Sequence, residues 1–240
     1  MSTVVQKVLF RFVKQAVSIA RKLTDAALIQ ISHPAGNGVA GWKHAVLHFI
    51  RLHMEAMLQE VLDWAEEMER IRAALVLERG EFPGPSALCK SFDRAPMRIW
   101  RELLRLSSEL LDRSGHVAID AIYFDRRQPS NHYLKRCDRD VRTIQAAFLV
   151  DTAQGAVIDV HCSAKWPSET EIGPQVVRRN AGDLLSLAAD KGYDDMSFRE
   201  ELRSEGVRPL IKYRVFAPYD HAHNARIEDE LTTNGQSVRL

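Results

Sequence analysis

His116-Val117-Ala118-Ile119-Asp120-Ala121-Ile122-Tyr123-Phe124-Asp125 is a run of β-branched and aromatic residues with one acid in its middle. It gives way to charged and turn-forming residues from Asp125 to Ser130, and this pattern predicts a strand buried in a mixed sheet. A carboxylate in such a strand is costly unless a cation, from the protein or a metal, partners it. Asp120 is therefore expected to be either paired or functional.

A second apolar run, Leu184-Leu185-Ser186-Leu187-Ala188-Ala189, stops at Asp190-Lys191-Gly192-Tyr193-Asp194-Asp195. It reads as another central strand with Asp190 at its carboxyl end, where open α/β sheets place their ligand sites. Two acids at strand positions of one sheet can converge on a divalent metal. A turn or helix-cap role for Asp190, ahead of Met196-Ser197-Phe198, is the plainer reading, and spacing alone favours it.

The whole chain narrows the function classes. Its 240 residues, 45% hydrophobic and 27% charged, suit one or two folded domains and exclude a disordered chain. A net charge of +1 gives no global sign of a nucleic-acid partner, so basic residues serving one must cluster locally. Cys89, Cys137 and Cys162 are scattered and odd in number, which suits a reducing compartment rather than a disulfide framework or a zinc site. No apolar segment approaches the ~18 residues that span a bilayer, and the start of the chain reads as a basic amphipathic helix. A cytoplasmic location with no membrane partner is expected.

From Val4 to about Ile31, Val5, Val8, Leu9, Phe12, Val13, Ala16, Ile19 and Leu23 recur at helical spacing, with Lys7, Arg11, Lys14, Arg21 and Lys22 largely on the other face. The basic face suits DNA phosphates or a partner, and equally a solvated surface. The breaker cluster His33-Pro34-Ala35-Gly36-Asn37-Gly38 ends this helix. Trp42 to Leu77 then carries a long helical pattern with room for one break. Its histidines, His44, His48 and His53, read as packing or surface groups rather than metal ligands. After the turn Arg79-Gly80-Glu81-Phe82-Pro83-Gly84-Pro85, a short helix around Ser86–Lys90 and a longer one after Pro96 bear Arg94, Arg98, Arg101 and Arg105. The pair has the outline of a helix-turn-helix, an outline shared by many proteins that never touch DNA.

At Ser114-Gly115 the character changes. Strands are expected over 117–124, 142–150, 156–163, 184–189 and 207–213, with helices over 170–180 and 196–205, and Asp151-Thr152-Ala153-Gln154-Gly155 turns the second strand into the third. The order β-β-β-α-β-α-β is that of a ribonuclease-H-like mixed sheet, here preceded by an all-helical N-terminal region. Three segments are expected: 1–114, helical and DNA-binding; 115–227, the core; and 228–240, an irregular tail. Between the first two strands, Arg126, Arg127, Lys135, Arg136, Arg139 and Arg142 outnumber Asp138 and Asp140, interleaved with Gln128, Asn131, His132 and Tyr133. That mixture suits phosphate contact with some base stacking, or a merely solvated loop.

Four stretches carry a resemblance: Ala118-Ile119-Asp120-Ala121, Phe124-Asp125-Arg126-Arg127-Gln128-Pro129-Ser130, Phe148-Leu149-Val150-Asp151-Thr152, and Ala188-Ala189-Asp190-Lys191-Gly192-Tyr193-Asp194. Together they resemble the DDE-type insertion-sequence transposases of the ribonuclease-H-like superfamily. The resemblance covers the chain well from about Ser86 onward and fits the helical N-terminus more loosely. It implies that Asp120 and Asp190 are the first and second catalytic acids and hold Mg²⁺ or Mn²⁺ with a downstream Glu. It also implies cleavage at transposon ends and joining of the 3′-hydroxyl to target DNA. Arg126, Arg127, His132, Lys135, Arg136 and Arg139 become the expected nucleic-acid contacts, and DNA the partner, with a homo-oligomer allowed for.

The sequence departs from the family at the third acid. There it lies in a Tyr-x-x-Arg-x-x-x-Glu pattern on a later helix, whereas Glu228 and Glu230 here lack a Tyr and an Arg both at that spacing. The expectation is a chain cut short before that acid, plausible through a frameshift, and inactive or impaired. Two readings compete with the transposase: a non-catalytic DNA-binding remnant that occupies transposon ends or pairs with the intact enzyme, and a ribonuclease-H-like nuclease unrelated to transposition. His221 and His223, two residues apart in a loop, are weak candidates for a metal pair.

Overall fold

The computed structural model describes residues 3–25, 39–124, 144–165 and 167–214. The chain divides into two compact units, Met1–Ser107 and Ser108–Leu240.

The first unit is helical: α1 (Thr3–Asp25), α2 (Gly41–Met54), α3 (Leu58–Glu67), α4 (Glu69–Leu75), α5 (Pro85–Arg94) and α6 (Met97–Ser108). Leu9, Val13, Ala16, Ala20 and Leu23, at alternating spacings of three and four, form the buried stripe of α1, while Lys7, Arg11, Lys14, Arg21 and Lys22 are exposed. Val8, expected on the apolar face, falls outside that stripe and is exposed. The pattern over 42–77 is interrupted twice rather than once. Glu55 closes α2 in the left-handed region at φ 50°, and Met68 is extended between α3 and α4. Apolar spacing continues across both breaks, so periodicity does not reveal them.

The α2 histidines are packing groups. His48 Nε2 lies 3.1 Å from both the Leu88 carbonyl oxygen and Ser91 Oγ, and its ring meets Phe92 and Trp100 edge-on, tying α2 to α5 and α6. His53 stacks on Phe12 with centroids 4.1 Å apart. Burial, then the neighbouring His48 and Arg94, pushes the His44 pKa down from 6.5 to about 4. The unfolded chain thus takes up a proton near pH 6.5 that native His44 refuses until about pH 4, so this unit loses stability as pH falls through that window. Urea midpoints should drop between pH 7 and pH 5, and His44→Leu should flatten part of the drop, His48 supplying the rest. An unchanged slope in the variant would contradict this assignment.

The second unit contains β1 (His116–Phe124), β2 (Ile144–Asp151), β3 (Val157–Ser163), α7 (Glu169–Asn180), β4 (Ser186–Ala189), α8 (Met196–Ser204) and β5 (Arg208–Ile211). The sheet order is β3-β2-β1-β4-β5, with β1–β2 and β2–β3 antiparallel and β1–β4 and β4–β5 parallel. This is the ribonuclease-H-like sheet that the order of elements predicted. Val117, Ile119, Leu149, Ile158 and Leu187 pack with Ile172, Val176 and Val177 of α7 and Phe198 and Leu202 of α8. Asp120 has the opposite parity to Val117 and Ile119, so it projects from the face those residues do not bury.

Two buried acids brace this sheet. Asp151 accepts hydrogen bonds from Ser114 N (2.6 Å), Ser114 Oγ (2.9 Å) and the backbone N–H groups of Ala153 and Gln154 (3.0 Å each), closing the β2–β3 hairpin and fixing the approach to β1. Burial alone would raise its pKa, but these donors outweigh burial and hold it below the usual carboxylate value. Asp194 pairs with Arg199, both buried, at 2.8 Å; Arg199 also donates to the Ile211 carbonyl and lies 4.0 Å from the Tyr213 ring centroid. That network fastens α8 to the end of β5. Arg199→Leu strips Asp194 of its guanidinium partner and should cost about 3–5 kcal/mol in urea unfolding. A loss below ~1 kcal/mol would show that the pair braces nothing.

Candidate active site

The last residues registered between β1 and β4 are Ile119 and Ala189. Asp120 and Asp190 each follow by one residue, just past the paired stretch of two adjacent strands whose backbones run ~5 Å apart within it. Contrary to the buried strand expected, β1 is covered mainly through Val117 and Ile119 and Asp120 is exposed, so it incurs no burial cost that demands a partner; its Oδ1 accepts the Ala121 N–H at 2.8 Å. Asp190 Oδ1 accepts the Gly192 N–H at 2.8 Å and caps the 3₁₀ turn Lys191–Tyr193. The plainer sequence reading of Asp190 holds: it caps a turn.

The fold adds a third carboxylate. Glu169, the first residue of α7, reaches over this turn, so that a β-carbon on Gly192 would overlap Glu169 Oε2 and lie 3.0 Å from Asp190 Oδ1. The Glu169 carboxylate thus occupies the space beside Gly192 that Asp190 Oδ1 also borders. Burial first, then the charges of Asp190 and Asp120, raises the Glu169 pKa, while Arg214 opposes the rise. Arg214 is held by its backbone N–H on Asp194 Oδ2 (2.6 Å) and by Nη2 on the Gly192 carbonyl (3.2 Å).

Tyr193 lies beneath these groups. It is fully buried, and its ring stands 3.2 Å from where a β-carbon of Gly173 in α7 would be. Its hydroxyl has no hydrogen-bond partner among the described residues. Burial, followed by Glu169, Asp120, Asp190 and Tyr123, raises its pKa. In Asp190-Lys191-Gly192-Tyr193-Asp194, the first acid faces the site, whereas the last belongs to the Arg199 brace. Sequence reasoning missed Glu169 because an acid opening a helix ordinarily complements the helix dipole, and nothing in periodicity marks it otherwise.

Three oxygen-bearing acids suit a hard cation such as Mg²⁺ or Mn²⁺. As they stand, no three His, Cys, Asp or Glu side chains among the described residues are gathered closely enough to hold an ion between them. Arg126, Arg127, His132, Lys135, Arg136 and Arg139 lie outside the described residues, as do His221, His223, Glu228 and Glu230. Beyond Asp120, β1 ends in exposed Ile122, Tyr123 and Phe124.

Among known proteins, no curated sequence matches the chain. Over most of its length it is similar to two solved structures. A chain of the simian T-cell lymphotropic virus intasome in complex with PP2A regulatory subunit B56 gamma shares 16% identity, with 79% of this chain and 53% of that one covered, at a TM-score of 0.31. The piggyBac transposase synaptic complex with hairpin DNA shares 12% identity, with 96% and 45% covered, at a TM-score of 0.37. This chain therefore spans about half the length of these structures. The family described as "Transposase DDE domain" matches residues 112–237, just over half of the chain and all five strands of its sheet. The chain belongs to the DDE-domain transposase family.

Proposed function

We propose that this chain is a DNA transposase whose site for phosphodiester chemistry is built on Asp120 and Asp190. The observation that supports the reading is the β1–β4 register, which pairs Ile119 with Ala189, so that Asp120 and Asp190, seventy residues apart in sequence, are the next residues along adjacent strands. The donor set fits a divalent cation: the oxygens are hard, and the glycine at 192 leaves the approach open. Mg²⁺ or Mn²⁺ held there supplies positive charge for an in-line displacement at phosphorus and lowers the pKa of the attacking water or 3′-hydroxyl. Asp120 and Asp190 would hold that charge in place from adjacent strands, and the cap on the Gly192 N–H fixes the Asp190 carboxylate. Arg214, braced by Asp194 and Gly192, offers a cation for a phosphate oxygen beside the acids.

The finer parts of the reading rest on the sequence. Transposon ends and target DNA are the substrates, acted on in the cytoplasm by a homo-oligomer. Arg126, Arg127, His132, Lys135, Arg136 and Arg139 grip the phosphates, with the helical first unit as the further DNA-binding region. At Glu230 the family's Tyr-x-x-Arg-x-x-x-Glu pattern is incomplete, with Arg226 at the Arg position but His223 at the Tyr position, and this departure supports impaired cleavage and strand transfer. That departure favours a second reading, a DNA-binding remnant that occupies transposon ends or pairs with an intact enzyme.

Supercoiled plasmid incubated with the purified chain and Mn²⁺ separates the two. Weak nicking that Asp120→Asn and Asp190→Asn reduce by about 10²-fold or more, with plasmid binding retained, is expected of the transposase. Binding without nicking selects the remnant. Nicking that persists in both variants would remove Asp120 and Asp190 from the chemistry.

A further inference from the structure

We infer that Glu169 is a third carboxylate of the same site, a metal-binding residue supplied by the first turn of α7 to the ion that Asp120 and Asp190 hold. The inference rests on the proposed function and deepens it. Three features of the fold point to this role. Glu169 leans over Gly192, its carboxylate filling the space that a β-carbon there would take, and Asp190 Oδ1 borders the same space. Glu169 therefore joins two like charges although its helix start has solvent available, an arrangement that costs energy unless a cation relieves it. Beneath the cluster, the hydroxyl of fully buried Tyr193 has no partner among the described residues. A buried phenolic O–H without an acceptor is destabilising, and such a donor is what orients a metal-held carboxylate from behind.

The alternative role for Glu169 is to complement the α7 dipole. Glu171 does that from the same turn without approaching Gly192, and so provides an internal control. Glutamate has three side-chain torsions, enough to bring its carboxylate from the Gly192 surface to an ion shared with the two aspartates.

Mn²⁺ titrated into the full-length chain, with the free ion counted by electron paramagnetic resonance, tests the inference without relying on activity. Asp120→Asn and Asp190→Asn should each abolish tight binding, Glu169→Gln should weaken it about tenfold or more, and Tyr193→Phe by less. Glu171→Gln should leave it unchanged. In metal-free buffer, Glu169→Gln should raise the melting temperature by relieving like-charge repulsion, whereas loss of a helix-stabilising acid would lower it. Wild-type affinity in Glu169→Gln, with the aspartate variants defective, overturns this inference alone. Wild-type affinity in Asp120→Asn and Asp190→Asn overturns the proposed site as well. Should Glu169→Gln fail to fold, Glu169→Asp serves as the second variant, and wild-type affinity in it, together with a lowered melting temperature, would contradict the assignment.

Discussion

The second unit depends on the parallel pairing of β1 with β4. A strand register has a period of two, so a slip of one residue would turn Asp120 into the core and Ile119 out of it. With Ile119 opposite Ala189, Asp120 and Asp190 are the residues that follow where the two strands leave their pairing. Ile119 and Leu187 are buried beneath α7 and α8, so the apolar core that stabilises the sheet also sets the position of its charges. The site inherits its geometry from the packing.

Around that register stand braces that do no chemistry. Asp151 gathers four donors at the hairpin and fixes where β1 begins relative to β2. Arg199 and Asp194 hold α8 against the end of β5, and Asp194 also receives the backbone N–H of Arg214. A buried ion pair of this type contributes little net stability over an apolar replacement, but losing one partner is costly, which makes it a device for keeping one arrangement. In the helical unit His48 spans α2, α5 and α6, and burial lowers the pKa of both it and His44.

The sequence revealed the site's frame through residues whose type conflicts with their setting. Asp120 stands out because a carboxylate interrupts an apolar strand, and Asp190 because it ends one. Each is a local anomaly that a pattern can register. Glu169 is not anomalous locally, since an acid opening a helix is ordinary, and its position against Gly192 exists only once α7 packs on the sheet. Asp194 shows the converse. It sits in the motif that carried the family resemblance, yet its partner Arg199 gives it a bracing task that no spacing announces. Likewise the left-handed Glu55 breaks a helix inside an unbroken apolar period. Chain-local order was legible; charge neighbours made by tertiary packing were not.

The claim at the centre of this account is that the β1–β4 register builds a cation site. Anomalous scattering from crystals soaked in Mn²⁺ locates the ion directly. The account predicts a peak ~2.1–2.2 Å from carboxylate oxygens of both Asp120 and Asp190, with Glu169 turned toward it. A peak bound elsewhere, or none between these two acids at saturating Mn²⁺, would contradict it.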